Sequence, residues 1–201
     1  MRILLTGATG FVGHHIGAAL VASGHEVIGC SRRRNDAFHR YPELGWIKAD
    51  LSADLTIDAW RPRLTGFDAV INAAAIVRER PGAAFGAVNA ASPCALFAAC
   101  AEVGPRRVIQ VSAPDCDRDP RPYAAAKLRV ERRLAELDLD WTVVRSSLLH
   151  PEDLANAIAR LIEDGGPLRA VLELEESRPL ALHAVSGDKI AADLGRARNT
   201  A

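Results

Sequence analysis

The sequence predicts an α/β fold in which helices cover both faces of a doubly wound parallel β-sheet. Two observations lead to this prediction. Short apolar runs typical of buried strands alternate with segments of helical periodicity through most of the chain. A glycine-rich segment at residues 6–13 stands between the first of these strands and the first helix. Because strands joined through helices pair by right-handed crossovers, the alternation favours one parallel sheet between two helical layers.

The strands are predicted from apolar runs, and the helices from apolar spacing and end signals. Residues 2–6 are rich in Ile and Leu, and similar runs lie at 26–31, 46–50, 68–73, 107–112 and 141–145. Helical spacing is found at residues 10–23, 56–64, 83–103, 123–137 and 152–163.

End signals and charge refine these predictions. Gly24 and Gly104 end two of the helices, and Pro151 suits the first turn of the 152–163 helix. The 123–137 helix carries a predicted outer face rich in Arg and Glu. Residues 32–41 are polar and are predicted as a loop with a helical turn. Residues 171–174 and 183–194 are predicted as a last strand and helix.

Length and composition exclude several classes of protein. With 201 residues, 49% apolar and 25% charged, the chain suits one globular domain rather than a disordered chain. No run of 18 apolar residues is present, and the first residues lack the apolar core and cleavage site of a signal peptide. Twenty-five basic residues balance 25 acidic ones, which gives no reason to expect nucleic acid or an anionic membrane as a partner. The four cysteines show neither metal spacing nor a disulfide framework, so we expect a cytoplasmic protein.

The glycine-rich segment between the first strand and the first helix predicts a dinucleotide-binding turn. Gly7 permits a tight turn out of the strand, Gly10 lets the backbone approach a pyrophosphate, and Gly13 allows the helix to pack closely on the strand. The N-terminus of the following helix supplies free N–H groups and the positive end of its dipole. The contacts expected from this segment are Gly7, Thr9, Gly10, Phe11, Val12 and Gly13.

The spacing of these glycines, with three residues between the first two, resembles the Thr-Gly-x-x-Gly-x-x-Gly fingerprint of the short-chain dehydrogenase/reductase superfamily. That form belongs to the extended and atypical branches, which include the NAD-dependent epimerases/dehydratases. The resemblance spans most of residues 1–149. It implies a Rossmann fold with strand order 3-2-1-4-5-6, room for a seventh strand, and bound NAD or NADP. Residues 76–80 and 95–97 are similar to the NADPH-binding accessory subunit of respiratory complex I.

The residues after the second predicted strand favour NADP over NAD. In an NAD enzyme, an acidic side chain at this point bonds the ribose 2′-hydroxyl. Here the strand ends at Ser31, and three arginines follow at 32–34. Guanidinium groups suit a 2′-phosphate, so we expect Ser31, Arg32 and Arg33 at that end of the cofactor. The alternative is that these arginines are simply solvated on a surface loop.

Two further strand ends are expected to border the cofactor. Asp50, followed by Leu51, matches the acidic residue that faces the adenine amino group in the family. A helix N-cap is the alternative role of Asp50, and the two roles can coexist. The fourth strand ends at Asn72, Ala73, Ala74 and Ala75, whose small side chains would let the backbone lie against the cofactor, as the corresponding turn does in the family.

A tyrosine and a lysine four residues apart are the main catalytic candidates. Tyr123 and Lys127 share one face of a predicted helix. An ammonium beside a phenol lowers the phenol pKa towards neutrality, as a proton donor to a carbonyl needs. The family resemblance implies that Tyr123 is the general acid/base and that Lys127 also holds the nicotinamide ribose. It further implies that Ser112 polarises the substrate carbonyl and that Asn89 orders a water near the lysine. Alternatively, Ser112 bonds backbone at a strand end and Asn89 is a helix-surface residue.

The chain departs from the family after the sixth predicted strand. Residues 141–149 resemble a family strand that ends in Arg-Pro-Ser, with Ser146 in place of the proline. Residues 150–155 then follow directly, where family members have several dozen residues of the substrate pocket. We therefore divide the chain into a dinucleotide-binding domain at 1–149 and a remnant of the substrate part at 150–201. Between Leu149 and His150 we expect either a deletion or an omitted stretch of chain.

Two functional hypotheses follow, beside the third possibility of a non-functional remnant that binds neither dinucleotide. The first is an NAD(P)-dependent oxidoreductase, NADP preferred, that transfers hydride between the nicotinamide and the carbonyl or alcohol carbon of a small molecule. The second is a module that holds NADP(H) as a structural or sensing ligand of a larger assembly, which the absent pocket segment favours. No metal site is predicted, since His14 and His15 are adjacent on a helix and point about 100° apart. The 83–103 and 123–137 helices are the candidates for a homodimer interface.

Overall fold

One mixed β-sheet forms the centre of the molecule. The computed structural model describes residues 1–78, 84–147 and 150–174 and the backbone of 182–185. In this part of the chain eight strands pair in the order β3-β2-β1-β4-β5-β6-β7-β8, and only the last pairing is antiparallel. The strands are β1 (Arg2–Thr6), β2 (Glu26–Ser31), β3 (Gly45–Lys48), β4 (Ala69–Asn72), β5 (Arg107–Ser112), β6 (Asp140–Ser146), β7 (Ala170–Leu174) and β8 (Leu182–Val185).

The helices lie in two layers, one on each face of the sheet. Successive strand residues point to opposite faces, so that Leu4 faces one helical layer and Leu5 the other. Helices α1, α2 and α6 cover the face of Leu5, and α3, α4 and α5 cover the face of Leu4. The helices are α1 (Phe11–Ala22), α2 (Arg34–Arg40), α3 (Ile57–Trp60), α4 (Ser92–Val103), α5 (Pro122–Glu136) and α6 (Pro151–Glu163).

Two helices carry irregular turns. A 3₁₀ turn at Arg61–Arg63 continues α3, and a π-helical turn at Ala87–Ala91 leads into α4. The predicted helix at 83–103 is therefore composite, and its first residue lies outside the described part of the chain. The π-helical turn carries Asn89, which becomes important for the site below.

The predicted doubly wound parallel sheet is confirmed in its strand order, and β7 is the seventh strand. The prediction is wrong at residues 183–185, which belong to an antiparallel strand and not to a helix. The rest of that predicted helix lies outside the described residues, as does Leu149 at the expected break in the chain. In the polar segment 32–41, the predicted loop is mostly the regular helix α2.

The strand order places a crevice between β1 and β4. β1 continues to β2 on one side, and the chain returns to β4 on the other, so their following loops diverge. In open parallel sheets, ligands bind outside the carboxyl ends of the strands at such a point. The glycine-rich turn follows β1, and residues 73–78 follow β4.

Candidate functional site

The turn after β1 brings two segments of backbone into close contact. Gly7 adopts φ +75°, a left-handed conformation that favours glycine. A Cβ at Gly7 would lie 2.5 Å from the backbone nitrogen of Ala74, in the loop after β4. Any side chain here would push the two loops apart, so the crevice depends on this glycine.

The same turn packs closely against the first residues of α1. The Gly10 N–H donates to the Gly7 carbonyl over 2.9 Å, and a Cβ at Gly13 would lie 2.1 Å from that carbonyl oxygen. Gly10 is the N-cap of α1 and offers no side-chain acceptor to the first N–H groups of the helix. These groups and the positive end of the helix dipole suit a phosphate, which fits the pyrophosphate of a dinucleotide.

A cleft of about 990 Å³ runs along the carboxyl ends of the strands. It joins the glycine turn to the ends of β2 and β3 on one side and to α5 on the other. Nearly all of the residues predicted to bind a cofactor line it: Gly7, Thr9, Gly10, Phe11, Val12, Gly13, Ser31, Arg32, Arg33, Asp50, Leu51, Ala73, Ala74, Ala75, Tyr123 and Lys127. The exceptions are Asn72 and Ser112, and the predicted catalytic residue Asn89 also lies outside the lining.

The end of the cleft beside β2 is rich in basic side chains. Arg32 and Arg33 line it, and Arg40 from α2 joins them. The Ser31 hydroxyl accepts a hydrogen bond from the Arg33 N–H over 3.2 Å, which fixes the turn after the strand. Asp36 lies 3.6 Å from the Arg33 guanidinium, and both side chains are largely exposed. Guanidinium groups on a short, turn-defined segment suit a terminal phosphate group. Sequence reasoning missed Arg40, because α2 was not predicted as a full helix.

Asp50 organises the loop after β3. Its carboxylate accepts hydrogen bonds from the backbone N–H and the hydroxyl of Ser52. These bonds, with Arg32 nearby, lower the Asp50 pKa despite partial desolvation. The Asp50 N–H donates in turn to the Asp54 carboxylate over 2.7 Å. Asp50 therefore closes a loop and lines the cleft with an ionised side chain, so a structural role and a ligand-facing role coexist.

Asn72 lies beneath the cleft floor. Its side-chain oxygen accepts from the Thr6 hydroxyl and from the Ala74 N–H, and its amide nitrogen donates to Gln110 over 2.7 Å. All of this network is buried. Asn72 thus shapes the loop at Ala73 and Ala74 from behind, where the prediction had placed it against the cofactor.

Asn89 reaches back to the loop after β4. Its side-chain oxygen accepts the Ile76 N–H over 2.9 Å, and its amide nitrogen donates to the Ile76 carbonyl over 2.8 Å. The side chain is buried, so the alternative of a helix-surface residue is wrong. Because both ends of the amide bind Ile76, Asn89 supports the cleft wall through backbone.

Lys127 reaches the cleft from α5 through a fully buried side chain. Its ammonium donates to the carbonyls of Ala74 and Val111, over 3.2 and 3.1 Å. Burial lowers the Lys127 pKa to about 8, partly opposed by the charge of Glu131. The lysine therefore ties α5 to the ends of β4 and β5.

Tyr123 lies beside Lys127, as the spacing predicts, but its phenol is not activated in the expected way. The Lys127 nitrogen lies 5.6 Å from the centre of the Tyr123 ring and makes its hydrogen bonds to backbone. Burial raises the Tyr123 pKa to about 12. The expectation of a phenol pKa near neutrality is therefore wrong for this arrangement, and Tyr123 keeps its proton at neutral pH.

Ser112 lies outside the lining of the cleft. Its hydroxyl donates to the Glu131 carboxylate over 2.6 Å, and the side chain is fully buried. Glu131 also forms a buried ion pair with Arg145 at 2.8 Å. In this arrangement Ser112 supports a buried carboxylate and does not line the cleft, and its predicted roles in the cofactor site and at a substrate carbonyl stay predictions. No sequence signal had identified Glu131 or Arg145 as its partners.

The fold and the cleft define a dinucleotide-binding α/β protein, and sequence comparison supports this class. The family model described as NAD(P)H-binding matches residues 7–172. The chain therefore belongs to this NAD(P)H-binding family. An uncharacterized protein of Mycobacterium tuberculosis, Rv2047c, is 30% identical over 161 residues, which are 80% of this chain. The chain spans about 16% of the length of that curated relative.

Solved structures share the fold. A protein of Bacillus halodurans, provisionally named an NAD-dependent epimerase/dehydratase, has a TM-score of 0.74 at 23% identity, covering 89% of this chain and 96% of its own. The oxidoreductase ylbE from Lactococcus lactis has a TM-score of 0.72 at 19% identity, covering 98% and 97%. BdcA in complex with NADPH has a TM-score of 0.65 at 20% identity, covering 83% and 87%. The finer similarity to a complex I subunit stays a prediction.

Two further features limit the classes of site. In the described part of the chain, every helix is too short or too polar to cross a membrane. The same residues contain no group of three or more His, Cys, Asp or Glu side chains that could hold a metal ion.

Proposed function

We propose that the protein is an NAD(P)-dependent oxidoreductase that prefers NADP and acts on the carbonyl or alcohol group of a small molecule. The observation that carries this proposal is the placement of Tyr123 and Lys127 in the same cleft as the glycine turn. The nicotinamide of the cofactor would supply or accept the hydride. The chain contributes binding, orientation and a proton.

The proton step belongs to Tyr123 in this proposal. Its pKa of about 12 keeps the phenol protonated at neutral pH, so Tyr123 Oη is ready to donate to a carbonyl oxygen. Removing a proton from an alcohol would need the phenolate, which burial disfavours. The arrangement therefore favours reduction of a carbonyl over oxidation of an alcohol.

The preference for NADP rests on the basic end of the cleft. Arg32 and Arg33 line the main cleft, and with Arg34 and Lys48 they surround an adjoining cavity of about 460 Å³. Among the described residues, Asp36 is the one acidic side chain that borders both cavities. Four cationic groups around this space favour a ligand with an additional phosphate.

The experiment that tests the proposal compares Tyr123→Phe with the wild type. Cofactor affinity is measured first by titration calorimetry, and NADPH oxidation is then followed with a panel of aldehydes and ketones. We expect Tyr123→Phe to bind NADPH like the wild type and to lose about 100-fold or more of the carbonyl-dependent rate. Tyr41→Phe is the matched control, since Tyr41 also lines the cleft but lies beside α2. Equal rates for wild type and Tyr123→Phe would exclude the proposed role of the phenol.

A second candidate is a non-catalytic module that binds NADP(H) within a larger assembly. One observation favours it: Ser112 is engaged with Glu131 and unavailable to a substrate carbonyl. Tight NADPH binding without oxidation by any carbonyl in the panel would support this module over the enzyme.

The compartment and the assembly belong to the same proposal. We place the protein in the cytoplasm, because all four cysteines are free thiols. We propose a homodimer through α4 and α5, and sedimentation equilibrium tests it. The division of the chain at residue 149 also stays a proposal; α6 and β7, which follow it, pack on α1 and β6.

A further inference from the structure

Helix α5 is attached to the end of β5 at two successive turns. In the first, Lys127 donates to the Val111 carbonyl over 3.1 Å. One turn later, Glu131 accepts the hydroxyl proton of the adjacent Ser112 over 2.6 Å. Tyr123, Lys127 and Glu131 are spaced four residues apart, so they lie along one face of the helix. Tyr123, the proposed proton donor, therefore lies at the cleft end of this helix face, and the other two residues, Lys127 and Glu131, are hydrogen-bonded to the end of β5.

Glu131 is only 1% exposed, and both oxygens of its carboxylate accept hydrogen bonds from the protein. One oxygen accepts from Ser112, from the Cys116 thiol over 3.2 Å and from Arg145 Nε over 3.3 Å. The other oxygen accepts from the second Arg145 nitrogen over 2.8 Å. A buried carboxylate is tolerated only with such a set of donors, so its position is closely defined.

Arg145 extends this network across the sheet edge. Its remaining nitrogen donates to Asp117 over 3.2 Å and to Glu173 over 3.3 Å. The network therefore connects the ends of β5, β6 and β7 with the loop that precedes α5. The same loop supplies Cys116, so the approach of the chain into Tyr123 is held at two points.

The surroundings of Lys127 contain few ionisable groups. From α5 it faces the Tyr123 ring and Glu131, and from the preceding loop it faces Cys116. Its hydrogen-bond partners among the described residues are the carbonyls of Val111 in β5 and of Ala74 in the loop after β4. Burial raises the pKa of the Cys116 thiol to about 12, so this group is neutral at ordinary pH. Glu131, one helical turn from Lys127 and itself paired with Arg145, is thus the acidic side chain whose charge raises the Lys127 pKa against the effect of burial.

We propose that Glu131 is a positioning residue for the Tyr123–Lys127 pair. Its buried carboxylate fixes α5 one turn beyond Lys127 and favours the charged form of that lysine, and Ser112 serves this carboxylate as a donor. This proposal rests on the proposed function, which assigns proton transfer to Tyr123. Its first test, however, requires no cofactor.

The first test is the titration of Lys127 in the whole protein, with and without the Glu131 charge. The chain has three lysines, Lys48, Lys127 and Lys189, so ¹³Cε-labelled lysine gives three resonances. The resonance that is absent in Lys127→Arg is that of Lys127. We expect the Lys127 midpoint to fall by about one pH unit in Glu131→Gln, because an opposing charge is lost. The matched control is Glu136→Gln on the same helix, whose exposed carboxylate pairs with Arg133 and should leave the midpoint unchanged. An equal midpoint in both variants would overturn the proposal.

The second test separates position from charge. Glu131→Asp keeps the charge but shortens the side chain, so the carboxylate cannot reach both Ser112 and Arg145. We expect the Lys127 midpoint to stay within about 0.3 unit and the Kd for NADPH to rise about three- to tenfold, because α5 is then held at one turn only. If Glu131→Asp binds NADPH as tightly as the wild type does, the positioning role is overturned. This test remains decisive if Glu131→Gln fails to fold. If the wild type binds neither NADPH nor NADH, the proposed function fails, while the Lys127 titration still decides this inference.

Discussion

The side-chain amide of Asn89 forms two hydrogen bonds with the backbone of Ile76, over 2.9 and 2.8 Å. The two residues are 13 positions apart, and the contact joins the π-helical turn before α4 to the loop after β4. This loop forms one wall of the cleft, and Ile76 lines it. The wall is thus held by a side chain that does not itself line the cleft.

We expect Asn89→Ala to lower the free energy of unfolding by about 1–2 kcal/mol, because the half-buried N–H and carbonyl of Ile76 lose their side-chain partners. NADPH affinity should fall as well, since the wall at Ile76 is released. Urea unfolding and titration calorimetry measure the two effects. Asn156→Ala on the exposed face of α6 is the control and should change neither. Equally small changes of stability and NADPH affinity in Asn89→Ala and Asn156→Ala would contradict the role of Asn89 in holding the wall at Ile76.

Gly13→Ala should abolish cofactor binding and destabilise the fold. The added Cβ would meet the Gly7 carbonyl at 2.1 Å, and backbone on both sides leaves little room to shift. We expect NADPH affinity to drop at least about 100-fold, with a cost in stability of about 1–3 kcal/mol. In Gly86→Ala the Cβ meets nothing within 4 Å, so this control should bind normally. Retained affinity in Gly13→Ala would argue against the glycine turn as the pyrophosphate site.

Replacing Arg32 and Arg33 together by Gln should weaken NADPH binding about tenfold or more and leave NADH binding nearly unchanged. The reason is that only NADPH carries the 2′-phosphate that the guanidinium groups would contact. The ratio of the two dissociation constants, measured at one salt concentration, is the decisive quantity. Arg133→Gln, a surface change on α5, should leave that ratio as in the wild type. Loss of affinity for both cofactors alike would point to a general effect of charge.

Stability should fall above about pH 9 because of the buried thiols. Burial raises the pKa of Cys30, Cys100 and Cys116 to about 12. An unfolded thiol loses its proton near pH 9, while the folded one keeps it, so unfolding releases protons between pH 9 and 12. The contribution of these thiols is complete below pH 9 and is lost progressively above it.

Urea midpoints at pH 8 and 10 measure this loss, and Cys100→Ala should show a smaller decrease between the two pH values. Cys94 is the control, because its thiol is only half-buried and burial raises its pKa less than that of the other three thiols. Its thiol should also react first with a disulfide reagent in the native protein. Equal decreases in Cys100→Ala and Cys94→Ala would contradict the assignment.

The parallel part of the sheet could be predicted because most of its strands are short apolar runs whose two faces are both covered. Leu4 and Leu5, for example, face opposite helical layers and are both completely buried. The cofactor cleft followed from the glycine spacing and the ends of the strands, since a parallel sheet collects these ends at one edge. Local sequence was sufficient for these features because each of them is set by neighbouring residues.

The buried polar network could not be predicted, because its members are brought together only by the fold. Glu131 and Arg145 are 14 positions apart on a helix and a strand, and no periodic pattern links them. The sequence placed the Arg and Glu residues of α5 on an outer face, since charged side chains are rarely buried without a partner. The partner of Ser112 could not be predicted for the same reason: a strand end predicts the location of a hydroxyl but not the direction in which it donates.

The antiparallel strand β8 has a consequence for the behaviour of the protein at high concentration. It pairs with β7 from Val171 to Leu174, so the backbone N–H and C=O groups along that edge of β7, a strand with apolar side chains, are covered. The free strands of the described sheet are then β8 itself and β3, a strand of four residues that ends in the cationic Lys48. Short or charged edge strands resist pairing between molecules. A chain shortened before residue 182 would expose β7, and it should aggregate by edge-to-edge association where the longer chain stays dispersed.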